Sequence, residues 1–173
     1  MTWLMPAAGP VRDHLLATID RIAADHSAPR FQPHLTLAPT FDSAADVAAQ
    51  ALASQVAGIP PIDVAFNGIG HEQAYFRALY LLAGHSAQLT TLQEVVQRAL
   101  APGPWSFMPH LSLLYSDIPE AAKQAVIDSI GIPSPLTVRF DGVELWARDD
   151  PDVRAWYRVT RVALASHSQQ QAR

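Results

Sequence analysis

Phe31-Gln32-Pro33-His34-Leu35-Thr36-Leu37 returns later in the same chain as Phe107-Met108-Pro109-His110-Leu111-Ser112-Leu113. Side chains on a β-strand point alternately to opposite faces. His34 and Thr36 therefore share one face, and Leu35 and Leu37 the other. His110 and Ser112 are separated from Leu111 and Leu113 in the same way. The leucines can anchor each strand against helices, which leaves the polar pair free to face a cleft. A strand duplicated only for packing would keep Phe, Pro and Leu, but has no packing use for a histidine and a hydroxyl opposite the leucines. Pro33 and Pro109 lack a backbone N–H and mark a strand start or an edge. Each also biases the residue before it towards an extended conformation.

Working outward from the repeat, the chain reads as alternating strands and helices. Trp3–Met5 is a short strand stopped by Pro6, and Pro10–His26 a helix with Val11, Leu15, Ile19 and Ile22 on one face. Phe31–Leu37 is the first motif strand. Ser43–Ala57 is an alanine-rich helix capped by Ser43 or Asp42 and stopped by Gly58. Ile62–Ile69 and Tyr75–Leu82 read as strands around a turn, with Phe76 and Tyr80 on one face and Tyr75, Arg77 and Leu79 on the other. Ser86–Leu100 is a helix closed by Pro102-Gly103-Pro104, the one break between halves. Pro109–Leu114 is the second motif strand. Pro119–Ile130 is a helix with Gly131 after its end. Leu136–Ala147 and Val153–Ala163 form a last strand pair around Asp149-Asp150-Pro151-Asp152. The second half approximately repeats the first. The expected fold is α+β and bilobal: a pseudo-twofold duplication of antiparallel sheets, with helices on their outer faces and a central cleft. Residues 1–165 form a single domain of two interleaved lobes, and 166–173 a polar tail.

Composition narrows the function. With 49% hydrophobic and 16% charged residues, the 173-residue chain is globular rather than disordered. A net charge of −4 argues against an extended nucleic-acid partner, which needs a basic field, but leaves room for a small nucleotide. The absence of cysteine excludes disulfides, zinc–thiolate sites and thiol nucleophiles. The first residues lack the basic and apolar regions of a secretory signal, and no stretch reaches the roughly 20 apolar residues that span a bilayer. These features read as a soluble, cytoplasmic protein without a membrane partner, and a monomer is expected.

The paired motifs suggest acid–base chemistry. Cleaving a cyclic phosphodiester with water needs a base for the nucleophile and an acid for the leaving alkoxide. Histidine's ordinary pKa, near 6.5, lets one imidazole be neutral while the other is protonated. Thr36 and Ser112 can donate to the non-bridging phosphate oxygens as charge builds there. Such chemistry calls for no metal and no cofactor. His14, His26, His71, His85 and His167 have neither a repeated partner nor zinc-ligand spacing and read as surface residues.

With these residues in place, the chain resembles the two-histidine (2H) phosphoesterase superfamily, which has a LigT-like fold. Within it, the chain is similar to the cyclic phosphodiesterases of plant and yeast type. Trp3-Leu4-Met5-Pro6 resembles the family's opening strand, Phe107–Tyr115 its second motif, and Leu145-Trp146 with Asp149, Asp150 and Trp156 its last hairpin. The resemblance implies hydrolysis of nucleoside 2′,3′-cyclic phosphates to 2′-phosphates, and opening of ADP-ribose 1″,2″-cyclic phosphate by some members. It implies His34 and His110 as catalytic residues, with His110 the base and His34 the acid, and Thr36, Ser112 and Tyr115 as substrate-binding residues. Strict alternation would put Tyr115 on the leucine face, so it reaches the site only if its strand ends near Leu114. Trp3, Trp146 and Trp156 read as packing residues, one of which can stack on a base, and Arg77 reads as a surface residue that contacts a phosphate only if its strand face lines the cleft. Two other functions fit the same motifs. One is RNA-end processing, as a 2′-5′ ligase or a 2′-5′ oligonucleotide phosphodiesterase. The other is a non-catalytic nucleotide-binding module.

Overall fold

The structure is a computed structural model of the chain and describes residues 1–41, 43–100, 106–150 and 152–165. The Asp42 cap, the 102–104 break, Pro151 of the last turn and the tail with His167 lie outside the described residues. Among those described, seven strands and four helices run β1 (Thr2–Pro6), α1 (Pro10–Asp25), β2 (Leu35–Ala38), α2 (Ala45–Val56), β3 (Ile62–Gly70), β4 (Leu79–Ala83), α3 (Ala87–Leu100), β5 (His110–Leu114), α4 (Glu120–Ser129), β6 (Leu136–Ala147) and β7 (Tyr157–Ala163).

The α+β, pseudo-twofold class stands, but the expected antiparallel sheets are joined into one. The strand order is β1-β2-β5-β4-β3-β6-β7, and β1 also pairs with β6, so the first six strands close on themselves. Every pairing is antiparallel. Exchanging β1 with β4, β2 with β5 and β3 with β6 reproduces the same neighbours. The halves therefore meet between β3 and β4, not near Pro102-Gly103-Pro104. The approximate twofold axis passes the Leu35–Leu111 pair, which joins β2 to β5. Each half's third strand pairs outside its own half: β3 with β4 and β6, and β6 with β1 and β3. Helix α1 packs on β5, and α3 on β2, again by exchange between halves.

The leucine faces are buried as the alternation requires. Leu35, Leu37, Leu111 and Leu113 are fully buried and join one core with Leu15, Ile19 and Ile22 of α1 and Leu89, Leu92 and Val96 of α3. Val11 leaves this pattern and is exposed, one turn before the buried stripe of α1 begins. Helix α2 has Ala44 as its N-cap with no side-chain cap, so Ser43 does not fill that role. Gly58 and Gly131 follow α2 and α4 at φ of 87° and 63°, a left-handed conformation that costs glycine little.

Three expected strands are shorter than their sequences suggest. Phe31–His34 has no strand partner, and β2 begins only at Leu35. Tyr75–Arg77 is a single 3-10 turn ahead of β4, so the expected alternation of Tyr75, Phe76 and Arg77 does not hold. Tertiary hydrogen bonds fix this turn. Ser112 Oγ donates to the Phe76 carbonyl (3.2 Å), and the Ser116 N–H donates to the Tyr75 carbonyl (3.0 Å). Val153–Ala155 is likewise a 3-10 turn, held by the Asp152 carboxylate accepting from the Arg154 N–H.

Candidate active site

The seam between β2 and β5 brings the two motifs to one cleft. His34, Thr36, His110, Ser112 and Tyr115 all line a cavity of about 320 Å³, a size that suits a small-molecule ligand. The leucines that alternate with them face the core. Tyr115 reaches the cleft because β5 ends at Leu114, which releases the following residue from alternation.

The two histidines are held alike. His34 Nδ1 lies 2.7 Å from the Gln32 carbonyl, and His110 Nδ1 lies 2.8 Å from the Met108 carbonyl. A carbonyl can only accept, so Nδ1 carries the proton in both rings. Each neutral imidazole is left with its lone pair on Nε2. The Phe-x-Pro-His sequence explains the symmetry. It places an acceptor carbonyl two residues before each ring, with a proline between.

An aromatic residue from the neighbouring strand of the same half backs each ring. Trp3, opposite Thr36, stacks on His34 with centroids 3.7 Å apart at 15°. Tyr80, opposite Ser112, meets His110 edge-on at 5.2 Å and 64°. Trp3 is itself packed by Trp146 at 4.4 Å, and Trp146 Nε1 donates to the buried Glu144 carboxylate (2.9 Å). Gly70 makes room for Tyr80, since a Cβ there would stand 2.5 Å from the tyrosine ring.

Full stacking buries His34, whereas His110 is only half-buried. Burial lowers the His34 pKa to about 3, helped by the nearby His110 and opposed by the Gln32 carbonyl. Burial also lowers that of His110, with Arg77 acting in the same direction and the Met108 carbonyl and Glu72 against it. Both rings are therefore neutral in the empty cleft at pH 7. The Tyr115 hydroxyl lies 3.3 Å from His34 Nε2 and donates to it. Burial raises the Tyr115 pKa, so the phenol keeps its proton.

The cleft has further lining residues beyond the five expected. Phe76, Arg77, Arg148 and Trp156 also border the cleft, with the Phe76 and Trp156 rings 5.8 Å apart. Arg77, expected at the surface, comes to the site because its turn is tied to β5. Trp156 was legible only as an aromatic of the last hairpin. Of the histidines set aside, His14, His71 and His85 are exposed and His26 is half-buried, and none lines the cleft.

A closed antiparallel sheet carrying two His-x-Thr/Ser strands side by side defines the LigT-like class of fold. E. coli LigT in its apo form matches with a TM-score of 0.64 at 20% identity, covering 95% of this chain and 96% of that one. E. coli LigT complexed with 3′-AMP matches with a TM-score of 0.59 at 18% identity, covering 95% and 98%. Residues 11–152 match the 2′-5′ RNA ligase superfamily, and the chain belongs to this superfamily of two-histidine phosphoesterases. A protein of Eremothecium gossypii named 2′,3′-cyclic-nucleotide 3′-phosphodiesterase is 28% identical over 181 residues, covering 84% of this chain and 82% of its own. One of the same name from Phaeosphaeria nodorum is 27% identical over 145 residues, covering 74% and 75%.

Proposed function

We propose that this protein hydrolyses nucleoside 2′,3′-cyclic phosphates to nucleoside 2′-phosphates, by acid–base catalysis between His110 and His34. One observation carries the reading: both His-x-Thr/Ser pairs line a single cleft with their Nε2 atoms unprotonated. The names of the two fungal relatives support it, because a 3′-phosphodiesterase leaves the phosphate on O2′.

The bound phosphodiester anion stabilises an imidazolium, so one buried imidazole takes a proton from solvent as substrate binds. His110 acts as the base, the role that the resemblance to the two-histidine phosphoesterases implies for it. His34 acts as the acid, with the π face of Trp3 against its ring to favour the imidazolium. Water loses a proton to His110 Nε2 as its oxygen bonds to phosphorus. The P–O3′ bond breaks, and O3′ takes the proton from His34 Nε2. Exchange with solvent then restores both rings. Thr36 and Ser112 donate to the non-bridging oxygens, Ser112 by turning from the Phe76 carbonyl. Tyr115 donates to the phosphate once His34 no longer accepts from it.

No step uses a metal or a cofactor. The partner is a small cyclic-phosphate nucleotide, ADP-ribose 1″,2″-cyclic phosphate included, and the protein acts as a monomer. The net charge of −4 disfavours an extended nucleic acid. No helix among the described residues is long and apolar enough to cross a membrane.

Product analysis tests the proposal: 2′,3′-cyclic AMP in EDTA should yield adenosine 2′-phosphate. Formation of the 3′-phosphate, or no turnover of any cyclic phosphate, would sink it. The superfamily's description favours RNA-end processing as the second reading. A clear preference for an oligonucleotide ending in a cyclic phosphate over the mononucleotide would select that reading.

A further inference from the structure

We propose that Arg77 grips the non-bridging oxygens of the reacting phosphate, and that Glu72 is the residue that positions it. The inference rests on the hydrolase reading for its chemistry and starts from a charge imbalance. A cyclic phosphodiester brings a negative charge, and attack by water concentrates more on the non-bridging oxygens. The two imidazoles are neutral in the empty cleft, and the two motif hydroxyls carry no charge. Among the described lining residues, the cationic side chains are those of Arg77 and Arg148.

These two arginines are held differently. Arg148 is exposed and lies over the Trp156 ring at 5.7 Å. Arg77 is braced. Its Nη2 sits 2.8 Å from Glu72 Oε2, while Glu72 Oε1 accepts from the Tyr80 hydroxyl (3.2 Å). Tyr80 is the residue packed against His110, so one carboxylate ties Arg77 to the ring beside it. From α4, buried Lys123 Nζ donates to the Glu72 carbonyl (2.6 Å). Ser112 and Ser116 hold the carbonyls of Phe76 and Tyr75, fixing the turn to the strand that carries the second motif. The ion pair is partly exposed, with side chains 41% and 33% accessible, and such pairs add little stability. Its use is therefore positional. Arg77 Nε and Nη1 have no partner among the described residues, and a planar guanidinium fork matches two phosphate oxygens.

The test is kinetics on 2′,3′-cyclic AMP with wild type, Arg77→Ala, Arg77→Lys, Glu72→Gln and Arg148→Ala. R77A should lower kcat/KM about 100-fold, mostly through kcat, without changing the melting temperature. R77K should recover only part of the loss, because an ammonium lacks the fork. Millimolar guanidinium ion should raise the R77A rate several-fold and leave wild type unchanged, which a purely structural role would not produce. E72Q should lose about 10-fold, and add nothing in an R77A background. R148A removes a cleft arginine that no carboxylate among the described residues braces, and should lose clearly less than R77A. Wild-type-like kinetics in R77A, or no guanidinium rescue, would overturn the proposal. If R77A fails to fold, R77K and E72Q at wild-type rates would overturn it, and their expected losses would uphold it. If wild type turns over no cyclic phosphate, the hydrolase reading fails by itself. Arg77 is then judged by calorimetry with adenosine 2′-phosphate: binding at least about 10-fold weaker in R77K upholds its role, and equal binding, or none to wild type, ends it.

Discussion

His34 and His110 occupy equivalent positions but different surroundings, and that difference sets the pH behaviour. Burial lowers both pKa values in the empty cleft, that of His34 to about 3. A bell-shaped kcat/KM profile reports the ionisations of the free enzyme. Its maximum should therefore fall below about pH 6.5, the ordinary value for histidine. The kcat profile should peak at higher pH, because the bound anion favours an imidazolium. Steady-state kinetics from pH 4 to 9 checks this, and a kcat/KM maximum above pH 7.5 would contradict it. His34→Ala and His110→Ala should each lower kcat by roughly 10² to 10⁴-fold, with the double variant losing less than the product of the two. Thr36→Ala and Ser112→Ala remove single hydrogen-bond donors and should cost less than either histidine.

The paired strands put these residues to work, and the packing behind them is as specific as the polar face. Leu35 and Leu111 meet across the β2–β5 seam and are fully buried. Truncating either to alanine should destabilise the fold by about 2–5 kcal/mol, measured by urea unfolding. Gly70→Ala tests the Tyr80 support. The new Cβ would overlap the ring, so Tyr80 must move away from His110 and release Glu72. The expected result is a reduced kcat with the fold retained. At this scale the sequence was legible where local pattern decides. The alternation His-Leu-Thr-Leu fixed which side chains face the cleft, and Leu136–Ala147 is a strand as its pattern indicates. It was misleading at Tyr75–Arg77 and Val153–Ala155. Both lead into a strand and are bent into turns by hydrogen bonds, to Ser112 and Ser116 in the first case and to Asp152 in the second.

For the molecule as a whole, placing a neutral histidine in the wall of the cleft links stability to pH. His34 titrates near 3 in the folded chain and near 6.5 when unfolded, so between these values the unfolded state binds the extra proton. The stabilisation from keeping it neutral is complete above about pH 6.5 and is lost as pH falls towards 3, by an amount on the order of a few kcal/mol. His34→Asn should flatten that part of the stability profile relative to wild type. Urea unfolding at pH 7, 5 and 4 would show it, and parallel curves for the two proteins would refute it. The amino-acid sequence alone determined the α+β class, the duplication and the four motif residues. Face alternation and a repeated heptad are local properties, readable without knowing any partner. Tertiary structure alone decided that the strands close into one ring through β1 and β6, and that the halves divide before β4. It also decided that Trp3 and Tyr80 back the two imidazoles and that Arg77 reaches the cleft. Each of these depends on pairing between residues far apart in the chain, and pairing energy depends on which surfaces meet, which no single segment encodes.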